Sequence, residues 1–140
     1  MHPATDPGHV TRIAVMLLAL LSASCSTIPS WPENSLTPAR LNESKHDYNG
    51  EEVTVHGWMR SGFENYSLWE SREASSKGEF AEKCVSLLIP QSMDTSGFDK
   101  QHVTVKGVFV EKLPSNVVQL GGCNLTTLIL KEGAPPQALP

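Results

Sequence analysis

Cysteine is scarce in this chain. Cys25, Cys84 and Cys123 are its only three, and no two of them form a C-x-x-C pair, which excludes dithiol chemistry of that type. Blocks of like charge are also absent. Lys and Arg number 11 against 15 Asp and Glu, a net charge of −4. This mixed, mildly acidic balance gives no basis for electrostatic steering. It also argues against non-specific nucleic-acid binding, which needs clustered cations to neutralise phosphates. The apolar run over residues 13–21 is too short to cross a bilayer. No G-x-S-x-G elbow frames a nucleophile and no glycine loop cradles phosphate; Gly121-Gly122 is a lone pair that reads as a turn. Beyond the N-terminal segment the histidines are His46, His56 and His102, and no Cys/His spacing supports a metal site. No catalytic residue, metal or cofactor is therefore assigned, and a non-enzymatic protein is expected.

The N-terminus is more informative. Arg12 precedes the uncharged run Ile13-Ala-Val-Met-Leu-Leu-Ala-Leu-Leu21, whose length suits the h-region of a secretory signal. Ser22-Ala23-Ser24-Cys25 follows, a stretch of small residues ending in a cysteine. This resembles the bacterial lipobox, in which the cysteine is acylated and becomes the new N-terminus. Ala23, Ser24 and Cys25 match, whereas Ser22 stands where the lipobox usually has Leu, and Leu21 lies one place earlier. The resemblance implies a signal peptide over residues 1–24, a lipid on Cys25 and a membrane anchor outside the cytoplasm. Ser26 in place of Asp implies the outer membrane, facing the periplasm. The competing reading is an ordinary secreted protein with Cys25 as a spare thiol. Loss of residues 1–24 removes Arg12 and Asp6, so the net charge is unchanged.

Residues 25–37 are rich in Pro, Ser and Thr and read as a tether that holds a domain clear of the headgroups. The tail over 133–140, Gly-Ala-Pro-Pro-Gln-Ala-Leu-Pro, is expected to stay unfolded. One domain lies between them, residues 38–132, opening with a helical turn across 39–45 before the turn signal Asn49-Gly50.

That domain contains a partial repeat. Val53-Thr-Val-His-Gly57 is echoed by Val103-Thr-Val-Lys-Gly107. Each begins as an alternating strand, with Val53/Val55 and Val103/Val105 inward and Thr54/His56 and Thr104/Lys106 outward. A glycine then interrupts a strand that continues as Trp58-Met-Arg60 or Val108-Phe-Val110. Glycine within a strand marks a bulge or sharp bend, and a small closed barrel needs such bends at its corners. Two copies with unlike intervening sequence exclude a solenoid. Three further strands are expected, beginning at Asn65, Cys84 and Asn124 and ending near Glu70, Ile89 and Leu130.

In this order the five strands resemble the OB-fold, a Greek-key β-barrel, over about residues 50–131. The resemblance is to the small OB domains of bacterial secreted and lipid-anchored proteins, and it implies an all-β fold with at most short helical turns. It departs at residues 91–100, where OB-folds commonly carry a helix and this chain has room for one turn only. With Cys25 assigned to the lipid, Cys84 and Cys123 are left as a pair or as two free buried thiols. The resemblance puts them at one end of two parallel neighbours, strands three and five. A disulfide there closes a loop of about 40 residues and stabilises by up to roughly 4 kcal/mol.

OB-folds bind on the face of strands two and three, between the loops after strands one and four. The resemblance places Arg60, Phe63, Tyr66, Trp69 and Arg72 in that region. Aromatics beside Arg can stack on bases, sugars or a partner's side chains; the alternative is that Trp58 and Phe63 are core, with Tyr66 and Trp69 as half-buried barrel residues. His56 and His102, outward on neighbouring strands, could approach one another and Glu52 could complete a metal site, although surface histidines on adjacent strands are usually only solvated. The polar segment 71–83 reads as a mobile loop. The expected function is a non-catalytic module that engages an envelope protein or small ligand at the membrane surface. The alternative is an oligonucleotide- or oligosaccharide-binding domain using the aromatic face.

Overall fold

The computed structural model describes residues 35–113, 115–118, 123 and 126–139, and only the backbone of Phe80 and Ala81. The segment expected to be a signal peptide, Cys25 and the expected tether up to residue 34 lie outside the described residues. So do Gly121-Gly122 and the first two residues expected in the fifth strand, Asn124 and Leu125.

The described chain runs α1 (Pro38–Glu43), α2 (Lys45–Tyr48), β1 (Glu52–Gly62), β2 (Asn65–Trp69), α3 (Arg72–Lys77), α4 (Phe80–Lys83), β3 (Cys84–Leu88), a 3-10 turn (Ser96–Phe98), β4 (Gln101–Val110), β5 (Thr127–Leu130) and β6 (Gln137–Ala138). Strands pair in the order β1-β2-β3-β5-β4, and β4 returns to β1. The result is a closed five-stranded OB-like barrel. Among the described strands the one parallel pair is β3 with β5, where Ser86, Leu87 and Leu88 face Thr127, Leu128 and Ile129; the other strand pairs are antiparallel. The single 3-10 turn occupies the place where OB-folds commonly carry a helix.

Closure depends on two strands that change partners. β1 faces β4 from Glu52 to Met59 and β2 from Trp58 to Gly62. β4 faces β1 from Gln101 to Val108 and β5 from Gly107 to Val110. The two repeated motifs lie against each other in antiparallel register, so Gly57 faces Val103 and Val53 faces Gly107. The register is unbroken at both glycines, so neither is a bulge. Each lies where the next strand crosses closest. A Cβ on Gly57 would come within 2.6 Å of the Trp69 carbonyl oxygen, and one on Gly107 within 2.5 Å of the Ile129 carbonyl oxygen. Real Cβ atoms do not approach backbone that closely, so only glycine fits the two corners.

Strand alternation sends Val53, Val55 and Met59 of β1 and Val103, Val105 and Phe109 of β4 into one core with Leu68, Val85, Leu87, Leu128 and Leu130. Each such side chain stabilises by roughly 1.5–3 kcal/mol when fully buried. Leu41 of α1 joins this core fully buried. Thr37 caps α1, its hydroxyl accepting the Arg40 N–H, and Pro38 begins it, a position where the missing N–H costs nothing. Asn42 then fixes the helix where β3 and β5 begin. Its amide donates to the Cys84 and Glu82 carbonyls at 2.9 and 3.1 Å, and its side-chain oxygen accepts from Thr126 at 2.8 Å. The residues before the barrel thus plug one of its ends.

Three expectations are corrected. Segment 71–83 forms two short helices: the Ser71 hydroxyl accepts the Ala74 N–H at 3.0 Å, and Gly78 ends α3 in the left-handed conformation at φ 67°. The tether reading extends too far, because Leu36 bridges Val55 and its carbonyl accepts the His56 N–H at 2.9 Å. The tail is ordered as far as β6, where Gln137 and Ala138 pair with Thr104 and Val103, after a buried Pro136.

Candidate binding groove

The five side chains expected to form one binding face separate into three places. Trp69 points outward from the barrel yet is only 3% exposed. Its indole N–H donates to the Ser67 hydroxyl at 2.9 Å, which donates to the Asn65 side chain at 3.0 Å. The ring packs with Ala74 and Cys84, and Trp58 and Cys123 flank this cluster. Trp69 is therefore core. Arg60 reaches Asp99 at 3.4 Å, while Asp99 also accepts the Ser61 N–H at 2.8 Å. The Arg72 guanidinium lies 5.9 Å from the centre of the Trp58 ring, within cation–π range. Trp58, expected in the core as an alternative, faces outward and meets His102 edge-on at 5.0 Å. Phe63, the other alternative core residue, is 93% exposed.

Phe63 and Tyr66 mark the opening that remains. β1 and β2 are joined through Phe63 and Glu64, and the Gly62–Asn65 pair closes the turn. Glu64 takes φ 57° there, a region uncommon for residues other than glycine. Behind the turn lies a groove of about 250 Å³ lined by Glu64, Tyr66, Leu87, Leu88, Ile89, Leu113, Val117, Val118 and Thr127. Pro90 cannot donate to a sheet ladder, and β3 ends before it, so Leu88 and Ile89 are left at the rim. Leu113, Val117 and Val118 come from the long β4–β5 loop, residues 111–126. Cys123 of that loop is disulfide-bonded to Cys84 at the start of β3, with Cα atoms 5.6 Å apart. Described residues of the loop therefore stand at both ends of β3, and on the outer side of β2 and β3 Ser67, Trp69, Cys84 and Ser86 are buried.

The groove occupies the OB ligand region: the turn after β1, strands β2 and β3, and the loop after β4. Its chemistry differs from the expected aromatic–arginine face. Among the described residues the lining is mainly aliphatic, with one aromatic ring, Tyr66, and one charged group, Glu64. The large hydrophobic side chains exposed among the described residues are Phe63, Tyr66, Leu88 and Val118, at 93%, 42%, 39% and 83%. Three of them line the groove and Phe63 adjoins Glu64. A signal for this was present in the sequence. Leu87-Leu88-Ile89 is a continuous apolar run, so a strand must turn part of it outward, and Val117-Val118 is an apolar pair within a loop.

The histidines form a different kind of site. His56 faces Thr104 and Trp58 faces His102 across the β1–β4 ladder, making the two imidazoles diagonal neighbours. His56 Nδ1 shares a hydrogen bond with the Thr104 hydroxyl at 2.8 Å. Glu52 is held instead by Lys106 at 2.9 Å and by Lys131. Among the described residues no three His, Cys, Asp or Glu side chains are grouped closely enough to share a metal ion.

Burial lowers both imidazoles from the ordinary value of 6.5, so folding favours their neutral forms. In that range the unfolded chain binds more protons, and stability must rise with pH. The contribution is complete above 6.5 and is lost as pH falls through the lowered folded values. Glu52 acts in a separate window. Hydrogen bonds from Lys131 and Lys106 hold its carboxyl at about 2, below the ordinary 4.5, so its contribution is complete above 4.5 and lost as pH falls toward 2. Urea midpoints should therefore decline as pH falls below 6.5 and decline again below 4.5. Changing both His56 and His102 to Gln should flatten the first decline and leave the second. A first decline of undiminished size in the double variant would assign it to other groups.

Comparison of the chain with protein-family models, curated proteins and solved structures gives no match. The class defined by its architecture is a small, disulfide-bonded, OB-like β-barrel with an apolar groove in the OB ligand region.

Proposed function

We propose that the protein is a non-catalytic envelope lipoprotein, acylated at Cys25, whose barrel engages a protein or small ligand at the membrane surface through this groove. The observation that carries the reading is the coincidence of the groove with the OB ligand region and with the exposed large hydrophobic side chains. Monomeric proteins rarely gather such side chains without a binding role. The lipobox-like segment supplies the anchor, and the outer membrane facing the periplasm is the expected location. The oligonucleotide or oligosaccharide reading has less support. Among the described residues no Arg or Lys lines the groove, and Arg60 and Arg72 are engaged with Asp99 and Trp58.

Intact mass and fractionation test the anchor. The membrane form should begin at an acylated Cys25, and Cys25→Ser should move the protein to the soluble fraction. Val118→Asp should then remove whatever the anchored protein retains after cross-linking, with the barrel's circular dichroism unchanged. A full-length, unacylated cytoplasmic protein would overturn the lipoprotein reading; retention indifferent to Val118→Asp would overturn the groove.

A further inference from the structure

The charge of the groove identifies the kind of partner it fits. Among its described lining residues Glu64 alone carries a charge. Several other carboxylates are engaged, Glu52 by Lys106 and Lys131, Glu73 by Lys77, Glu79 by Lys83, Asp99 by Arg60, and Glu111 by Lys45 and His46, whereas what sets Glu64 apart is its place on the groove. Glu64 is exposed on the turn, and among the described residues no hydrogen bond or ion pair engages it. A free carboxylate beside aliphatic side chains and the Tyr66 ring suits a cation that arrives attached to apolar groups. The carboxylate provides the opposite charge and the ring face a cation–π surface. The same carboxylate repels phosphates, whether of nucleic acid or of anionic lipid.

Size separates a macromolecule from a small ligand. The volume of about 250 Å³ corresponds to roughly eight waters at about 30 Å³ each, and it falls below the usual 300–1,000 Å³ of small-molecule pockets. It suits one or two aliphatic side chains. The apolar surface continues outside the groove to Phe63 and to the outer side of Val118, which a molecule of that volume would leave in water. An anchoring pocket with an apolar rim around it is the pattern of protein interfaces.

We infer that the groove receives a protein segment presenting one or two aliphatic side chains next to a basic residue, whose cation pairs with Glu64. The inference rests on the groove being the binding site. The test is selection of peptides from a random phage-displayed library on the immobilised full-length protein, followed by fluorescence polarisation with the synthesised consensus peptide. The expected consensus has aliphatic residues beside Lys or Arg. Its affinity should fall about tenfold or more with Glu64→Lys, and a peptide with Glu in place of the basic residue should recover binding to that variant. Leu88→Asp should abolish binding; if that variant does not fold, Val118→Asp at the more exposed position gives the same reading.

Peptides lost with Leu88→Asp or Val118→Asp but indifferent to Glu64→Lys would overturn the cation pairing and keep the groove. Peptides indifferent to all three changes would overturn both. If no peptide is enriched and vesicles of phosphatidylethanolamine and phosphatidylglycerol bind through Phe63 and Val118, the surface is a membrane contact and the inference fails. It also fails if octylamine binds in the groove and peptides do not.

Discussion

Gly57→Ala and Gly107→Ala should each lower the unfolding free energy by about 3 kcal/mol or more, at or beyond the upper end of ordinary overpacking. The reason is geometric. At each site the added methyl would meet a backbone carbonyl of the neighbouring strand, Trp69 or Ile129, and backbone within a closed barrel cannot turn aside as a flexible side chain can. Gly62→Ala is the matched control. It lies in the same strand as Gly57, with nothing within 4 Å of the position its methyl would take, and should change stability by no more than about 0.5 kcal/mol. Urea unfolding of the three variants under non-reducing conditions decides the matter. If Gly57→Ala unfolded at the same midpoint as Gly62→Ala, β2 would not approach β1 as closely as described.

Removing the disulfide should have a comparable cost. Cys84 and Cys123 are 39 residues apart, and a loop of that length contributes about 4 kcal/mol on the chain-entropy model. The whole stability of a domain this size is of order 5–15 kcal/mol. The paired change Cys84→Ala with Cys123→Ala is preferable to serine, because Cys84 is fully buried and a hydroxyl there would need a partner. The variant should lose a large share of its stability, and a reducing agent should then have no further effect on it. It should also lose affinity for any groove ligand, since Leu113, Val117 and Val118 belong to the loop that the bond holds. Unchanged stability in the paired variant would mean that the bond closes a loop already fixed by packing.

Much of the barrel was legible because alternation has only one consistent solution in a half-buried strand. Val53, Val55, Val103 and Val105 define the inner face, and the repeated glycines mark the corners. The reading of those glycines as bends was right in position. A continuous register, with close approach of a third strand, replaces a bulge as the physical reason. The outer face was harder to read. Tyr66 and Leu68 share the inward parity of β2, which turns Trp69 outward; its burial comes from α3 and the neighbourhood of Cys123, and strand periodicity does not report what covers the far side. α3 escaped attention because Ala74 is its one buried residue, leaving no apolar stripe, although Ser71 and Gly78 are ordinary start and stop signals. The groove was legible in part. Of the side chains expected at a ligand face, Tyr66 lines the groove and Phe63 lies beside it, whereas Leu88, Val117 and Val118 come from separate segments that meet only in the fold. Arg60 and Arg72 were expected there because arginine beside aromatics suggests stacking, but each is engaged with a neighbour on the barrel's outer surface.

The two short pairings at the ends of the domain bear on how the protein behaves in a crowded compartment. Leu36 lies along β1 at Val55, and β6 lies along β4 at Val103 and Thr104. Each covers part of a strand on the side away from the β1–β4 seam. Uncovered backbone of this kind is a template for a strand from another molecule. The residues just before and just after the barrel therefore act as selvages, finishing its raw margins so that neighbouring copies do not knit together.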